Sequence, residues 1–203
     1  MKKVVINKRL VSAEIEHVLG HIELSIETKR KLNSILVQEK VKKHDLILKP
    51  GDVCDFWGVV QKGMVQVYHY KNKKLISDFF ATEGYGFFDI ESFITGKPTE
   101  ATIEALEPTV YVKMDRAKFL KLCDEEDELN TIYQRVLEFT LILCHNRLDS
   151  VLNDSAEDKY ENLEKRIPGL ASRISAINVA SYIGVTQETL CRIKSKQEDF
   201  LLF

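Results

Sequence analysis

The stretch Asn178-Val179-Ala180-Ser181-Tyr182-Ile183-Gly184-Val185-Thr186-Gln187-Glu188-Thr189-Leu190-Cys191-Arg192-Ile193-Lys194-Ser195-Lys196 reads as two short helices around a sharp turn. Val179, Ala180 and Ile183 give the first helix an apolar face, and Ala180 is small where a second helix would cross closely. Gly184 tolerates the left-handed conformation that ends a helix. Val185 plugs the corner. Thr186 suits the N-cap of the second helix, with Thr189 standing where a full capping box has Glu. Leu190 and Ile193 face inward. Gln187, Glu188, Thr189, Arg192, Lys194 and Lys196 are left outward, hydrogen-bonding groups first and cations towards the end. A helix lying in the major groove of DNA needs that arrangement. A plain helical hairpin capping a core has the same local pattern, so the rest of the chain has to decide.

Working towards the N-terminus, residues 170–174 read as a short connector. Pro168-Gly169 ends a helix that Ser155 caps and that runs to about Arg166. Before it, the spacing predicts a long helix over about 128–152. Leu129, Ile132, Val136, Phe139 and Leu143 form a seam with alternating steps of three and four, as in a coiled coil. Tyr133, Leu137, Leu141, Leu148 and Leu152 form a second stripe. Two apolar stripes need two partners. One is the chain's own β-domain, and the other is the same helix of a second copy across a twofold axis; burial inside one domain is the alternative. The first seam is assigned to the dimer interface. Asp115 caps a helix reaching about Cys123.

Between residues 37 and 114 short runs of Val, Ile, Phe and Tyr alternate with polar residues and turns. Leu46-Ile47-Leu48 leads into the turn Lys49-Pro50-Gly51-Asp52. Residues 59–68 hold two strand-like pieces around Gly63. Residues 68–80 read as a hairpin tipped by Lys71-Asn72-Lys73-Lys74. After Gly84-Tyr85-Gly86-Phe87-Phe88-Asp89 come one helical turn at 90–94, the loop Gly96-Lys97-Pro98-Thr99, and closing strands over 101–106 and 109–114. Many short strands argue for a compact antiparallel barrel or roll. Residues 12–19 and 25–36 read as amphipathic helices capped by Ser12 and Ser25. His17 and His21 have the spacing of a metal pair, but no nearby Glu or Cys completes a set.

The chain has 203 residues, 44% of them hydrophobic, which supplies a real core in one large or two small domains. No apolar run approaches the roughly 18 residues of a membrane span, and residues 1–8, with cations but no long apolar region after them, do not read as a signal peptide. Net charge is −2, so any contact with nucleic acid must come from local charge. Cys54, Cys123, Cys144 and Cys191 are scattered, without a metal or disulfide pattern, which points to a reducing cytoplasm. No Gly-rich phosphate loop, His-rich metal set or Ser elbow is present, so the expectation is a protein that is not an enzyme.

The order roll, long helix, helix-turn-helix now carries a resemblance. With Lys49-Pro50-Gly51-Asp52, Glu91-Ser92-Phe93-Ile94-Thr95-Gly96-Lys97-Pro98 and residues 180–193, the chain resembles the Crp/Fnr family of bacterial transcription regulators over nearly its whole length. It is closest to the branch common in Bacteroidetes. The resemblance implies an α+β fold: an N-terminal antiparallel β-roll of cupin-like double-stranded β-helix type over 1–127, a dimerisation helix over 128–152, and a DNA-binding helix-turn-helix over 153–203. It implies a cytoplasmic homodimer on palindromic double-stranded DNA, with RNA polymerase as a further partner and no membrane.

In nucleotide-binding members a Glu after Gly holds the ribose, and an Arg-Ser pair holds the cyclic phosphate. The matching positions here are Gly86-Phe87 and Thr99-Glu100-Ala101, with Phe88 alongside. Losing the guanidinium removes a bidentate charge-assisted contact, and the Glu100 carboxylate adds repulsion. No cofactor is expected, and cyclic AMP is not expected to bind in the usual way. The roll is then either an inert scaffold or a pocket for a less anionic effector or a cation. The iron–sulfur branch's N-terminal cysteine cluster is absent, and His44, His69 and His145 are isolated rather than haem ligands. In the DNA-reading helix the family's contact positions fall on Gln187, Glu188, Thr189 and Arg192, with Ser181, Thr186 and Lys194 as nearby contacts. Glu188 can accept from cytosine, Arg192 can donate twice to guanine, and Gln187 can read adenine or meet a phosphate; Thr189, Ser181 and Lys194 suit phosphate. The seven residues after Lys196 are too few for the β-hairpin wing of many members, so a truncated or absent wing is expected, with 201–203 folding back. The rival reading is a ligand- or partner-binding dimer that has lost specific DNA binding.

Overall fold

The computed structural model describes residues 24–201, with side chains through Lys196. The expected helix at 12–19, His17, His21 and the side chains of the expected fold-back at 201–203 fall outside what it describes. The chain divides into two compact units. The first comprises the residues up to His69 and Asp78–Thr140, and the second comprises Tyr70–Ser77 and the residues from Leu141 onward.

The first unit begins with helix α1 (Ile26–Ile35), whose N-cap Ser25 accepts the Thr28 N–H. Eight strands follow among the described residues: β1 (Leu36–Val41), β2 (Leu46–Leu48), β3 (Phe56–Lys62), β4 (Val65–Lys71), β5 (Lys74–Ala81), β6 (Gly86–Phe87), β7 (Thr102–Ala105) and β8 (Thr109–Asp115). They form two four-stranded sheets, β1-β8-β3-β6 and β2-β7-β4-β5. The pairs β1–β8, β3–β8, β3–β6, β2–β7 and β4–β7 are antiparallel. A short helix α2 (Ile90–Thr95) sits between β6 and β7, capped by the Asp89 carboxylate at Ser92 N.

The apolar alternation of the strands points inward. Val60, Val65, Phe80, Phe87, Phe93 and Ile103 are fully buried, each contributing about 1.5–3 kcal/mol by removal from water. Helix α3 (Arg116–Glu125), capped by Asp115 at Lys118 N, adds Phe119 and Cys123 to that core. Glu126, just past α3, accepts from Thr28 Oγ1 at 3.0 Å and pairs with Lys31, tying α1 to the start of the next helix.

That next helix is α4 (Asp127–Asn153). Its first turns belong to the first unit, where Leu129 lies in the core and Tyr133 and Val136 pack against it.

In the second unit, α5 (Ala156–Arg166) is capped by Ser155 at Asp158 N. The expected connector at 170–174 instead contains a short helix, α6 (Leu170–Arg173). Glu164 builds it: its two carboxylate oxygens accept the Gly169 and Ala171 N–H groups, each at 3.0 Å. No local pattern at 170–174 announces a cap supplied from the preceding helix. Helices α7 (Ala176–Ile183) and α8 (Gln187–Leu201) follow. Leu170, Val179, Leu190 and Ile193 make the centre of this small core.

Candidate nucleic-acid interface and effector pocket

The turn between α7 and α8 is built as the sequence predicts. Gly184 adopts φ 71°, and its N–H donates to Ala180 O. A β-carbon there would strain the left-handed backbone. Thr186 Oγ1 accepts the Thr189 N–H at 3.1 Å and bonds the Thr189 hydroxyl at 2.9 Å. These two threonines are therefore occupied in capping α8. Leu190 and Ile193 point into the core and fix the rotation of the helix. With those two inward, Gln187, Glu188 and Arg192 are exposed. Glu188 and Arg192 lie four residues apart, one turn along the same face.

The remaining expected DNA contacts have partners within the second unit. Lys194 Nζ reaches Ala171 O at 3.4 Å and lies over the Tyr160 ring at 5.9 Å. Ser181 Oγ donates to Leu75 O at 2.7 Å and accepts from Ser77 N at 2.9 Å. The hairpin tip Tyr70–Ser77 thus belongs to the helix-turn-helix unit. Sequence reading missed this contact, because the partners lie more than a hundred positions apart.

In the first unit, the positions matched to nucleotide-binding residues are filled or committed. Phe87 is 1% exposed. Its ring makes edge contacts with Tyr111 and Phe56 at centroid distances of 5.3 and 6.2 Å. Opposite it in the β3–β6 pair stands Gly58. A β-carbon on Gly58 would lie 2.4 to 2.8 Å from three atoms of the Phe87 ring. The phenyl ring therefore occupies the space that the missing side chain leaves. Gly86 has the same relation to Trp57, whose Nε1 would be 2.6 Å from an added β-carbon. Phe88 packs at a tilt against Trp57 and Phe93, with ring centroids 5.6 and 5.1 Å away.

Thr99 is buried, and its hydroxyl donates to the Asp89 carboxylate while accepting the Ala101 N–H at 2.8 Å. The Thr99 backbone bonds Gly51 and Asp52, each at 2.8 Å. Ala101 is buried, and the Glu100 side chain is exposed. No cationic side chain takes the place of a phosphate-binding Arg among these six positions. Burial also pushes the Tyr111 phenol up to about 12, so it stays a neutral part of the packing.

The expected dimer seam divides. Leu129 is a core residue of its own unit, and Val136 packs against that core, whereas Ile132, Phe139 and Leu143 are half-buried. The most exposed apolar positions of α4 are elsewhere: Leu141 at 71%, Leu148 at 58% and Leu152 at 71%. Leu141, exposed Cys144, Leu148 and Val151 step by three and four along one face, with Leu152 beside them. Leu141, Leu148 and Leu152 belong to the second stripe, so that stripe, and not the seam expected at the dimer interface, is the more open one over these turns, because the first turns of α4 spend Leu129 and Val136 on the domain core.

Among the described residues no helix is long and apolar enough to cross a membrane. Residues 38–126 match the family model for the cyclic nucleotide-binding domain. Among solved structures, FixK2 from Bradyrhizobium japonicum aligns over 81% of this chain and 85% of its own, with a TM-score of 0.70 and 16% identity. CLP from Xanthomonas campestris, described as a c-di-GMP responsive global regulator, aligns over 87% and 94%, with a TM-score of 0.67 and 14% identity. A protein from Eubacterium rectale described as a regulator of the crp/fnr family aligns over 87% and 85%, with a TM-score of 0.68 and 14% identity. No curated protein matches the chain by sequence.

Proposed function

We propose, from the premise that this chain has the Crp/Fnr regulator fold with a cyclic nucleotide-binding-type domain, that it is a sequence-specific DNA-binding transcription regulator that works without cyclic AMP. The observation that carries the reading is the face of α8. Leu190 and Ile193 lock the helix by burial while Gln187, Glu188 and Arg192 stand exposed on it. These are the side chains that read base edges, Arg to guanine and Glu to cytosine. The protein acts as a homodimer, so that two copies of α8 meet successive major grooves about 34 Å apart. The stripe Leu141, Cys144, Leu148 and Val151 supplies the second helix's contact, since a heptad-spaced apolar face of this kind is what a parallel helix pair buries.

Phe87 on Gly58, and Thr99 on Asp89, leave no ribose acceptor and no phosphate donor at the matched positions. Of the two readings of the roll, the filled positions at Phe87 and Thr99 favour an inert scaffold over a pocket for a less anionic effector or a cation. The test is selection of duplexes from a random-sequence pool by the ligand-free protein, followed by anisotropy titration. A palindromic consensus should emerge, Arg192→Ala should relax it, and cyclic AMP should change neither affinity nor consensus. Failure to enrich any sequence would overturn the reading and leave a partner-binding dimer in its place.

A further inference from the structure

The hairpin tip Tyr70–Ser77 is joined to the helix-turn-helix by more than proximity. Ser181 on α7 takes the place of a neighbouring strand, bonding Leu75 O and Ser77 N, two backbone groups on one edge of β5. Ser77 Oγ donates to Asn178 O at 3.4 Å. Arg147 donates to Ser77 O at 2.7 Å, with its guanidinium over the Tyr182 ring at 4.8 Å. Ser77 is fully buried by this arrangement.

Beyond the anchor the backbone turns at Asn72 and Lys73, with φ 52° and 62°. Positive φ at both central residues is the two-residue hairpin turn that matches strand twist, so the tip is a defined structure. It presents Lys71, Lys73 and Lys74, all exposed. The eight residues Tyr70–Ser77 carry these three lysines and no acid. None of the three forms an ion pair among the described residues, although their chain has net charge −2.

We propose that the hairpin tip is a phosphate-binding arm of the DNA-reading unit, with Lys71, Lys73 and Lys74 contacting the backbone beside the bases that α8 reads. The inference rests on the DNA-binding reading above and adds a surface to it. Ser181 then serves as a positioning residue that seats the arm, in place of the direct phosphate contact expected of it. Edge lysines also discourage strand-to-strand aggregation. Polar but uncharged replacements keep that role and remove only the charge.

The test uses the full chain and two labelled duplexes, one selected by the wild type and one scrambled, titrated by anisotropy from about 50 to 200 mM salt. Each phosphate contact contributes about 0.9 to the slope of log affinity against log salt. K71Q/K73Q/K74Q should lower that slope by up to about 2.7 per chain and weaken both duplexes by the same factor, leaving their affinity ratio unchanged. K71R/K73R/K74R should keep the wild-type slope. Ser181→Ala, with the lysines intact, should lose part of it. A wild type that discriminates the duplexes, with a glutamine variant of unchanged slope and affinity, overturns the arm and leaves the base-reading helix standing. A wild type that does not discriminate, with a slope that still falls in the glutamine variant, overturns base reading and leaves the arm. Wild-type protein that binds neither duplex overturns both.

Discussion

Phe87→Ala removes a ring that is 1% exposed and bracketed by Phe56, Tyr111 and the bare backbone of Gly58. Truncating a buried phenylalanine costs about 3–5 kcal/mol. The upper half of that range applies here, because Gly58 has no side chain with which to close the cavity. The converse change, Gly58→Ala, puts a methyl 2.4 to 2.8 Å from ring atoms held on both sides, an overpacking that costs about 1–3 kcal/mol. In the Phe87→Ala background the same methyl enters the vacated space, and its cost should vanish or reverse. The two changes are therefore strongly coupled, as expected of residues sharing one volume. Urea unfolding followed by tryptophan fluorescence reads this directly. Trp57 is the chain's single tryptophan and lies buried in the first unit, so it reports that unit's transition. A loss below about 1 kcal/mol for Phe87→Ala, far under the range for a filled core site, would refute the claim that the ring fills the roll. Additive costs for the pair would refute it equally.

Leu148→Glu places a carboxylate in the exposed stripe of α4, and sedimentation should show a monomer whose Trp57 unfolding transition is unchanged. At neutral pH a maleimide should label exposed Cys191 in the wild type, reach Cys144 only when Leu148→Glu opens the helix pair, and spare buried Cys54 and Cys123 in the folded protein; burial pushes the Cys123 thiol up to about 11 and Cys54 upward as well. The Lys31 hydrogen bond, with Thr28 behind it, holds the Glu126 carboxyl below its ordinary value. Its contribution is present above the unfolded glutamate pKa and is lost as pH falls through the lower folded value. Glu126→Gln should accordingly destabilise the first unit at pH 7, and the gap to wild type should close in acid.

The parts of this molecule that sequence reading reached are those carried by local chemistry. Gly184, Thr186 and the Leu190–Ile193 spacing specify their turn within ten residues, and the structure places each as expected. The caps at Ser25, Asp115 and Ser155 are equally local. Phe87 was identifiable as an unusual residue by its position, but its fit to Gly58 depends on strand pairing, which periodicity does not report. The sequence puts Ser181 on the right helix but not with its partner, since the hairpin backbone that occupies it comes from a distant part of the chain. The stripes of α4 were both visible, yet which one meets the core is decided by where α3 hands over to α4, and the contacts of Glu126 that fix this are tertiary.

Base reading by Arg192 on α8 in the major groove is open to a direct test. On a duplex selected by the wild-type protein, each guanine in turn is replaced by 7-deazaguanine, which lacks the N7 acceptor, and affinity is measured for wild type and Arg192→Ala. One guanine per half-site should stand out, its replacement weakening wild-type binding by about 1–3 kcal/mol and leaving the variant unaffected. Equal sensitivity of both proteins at every guanine would contradict base reading by Arg192.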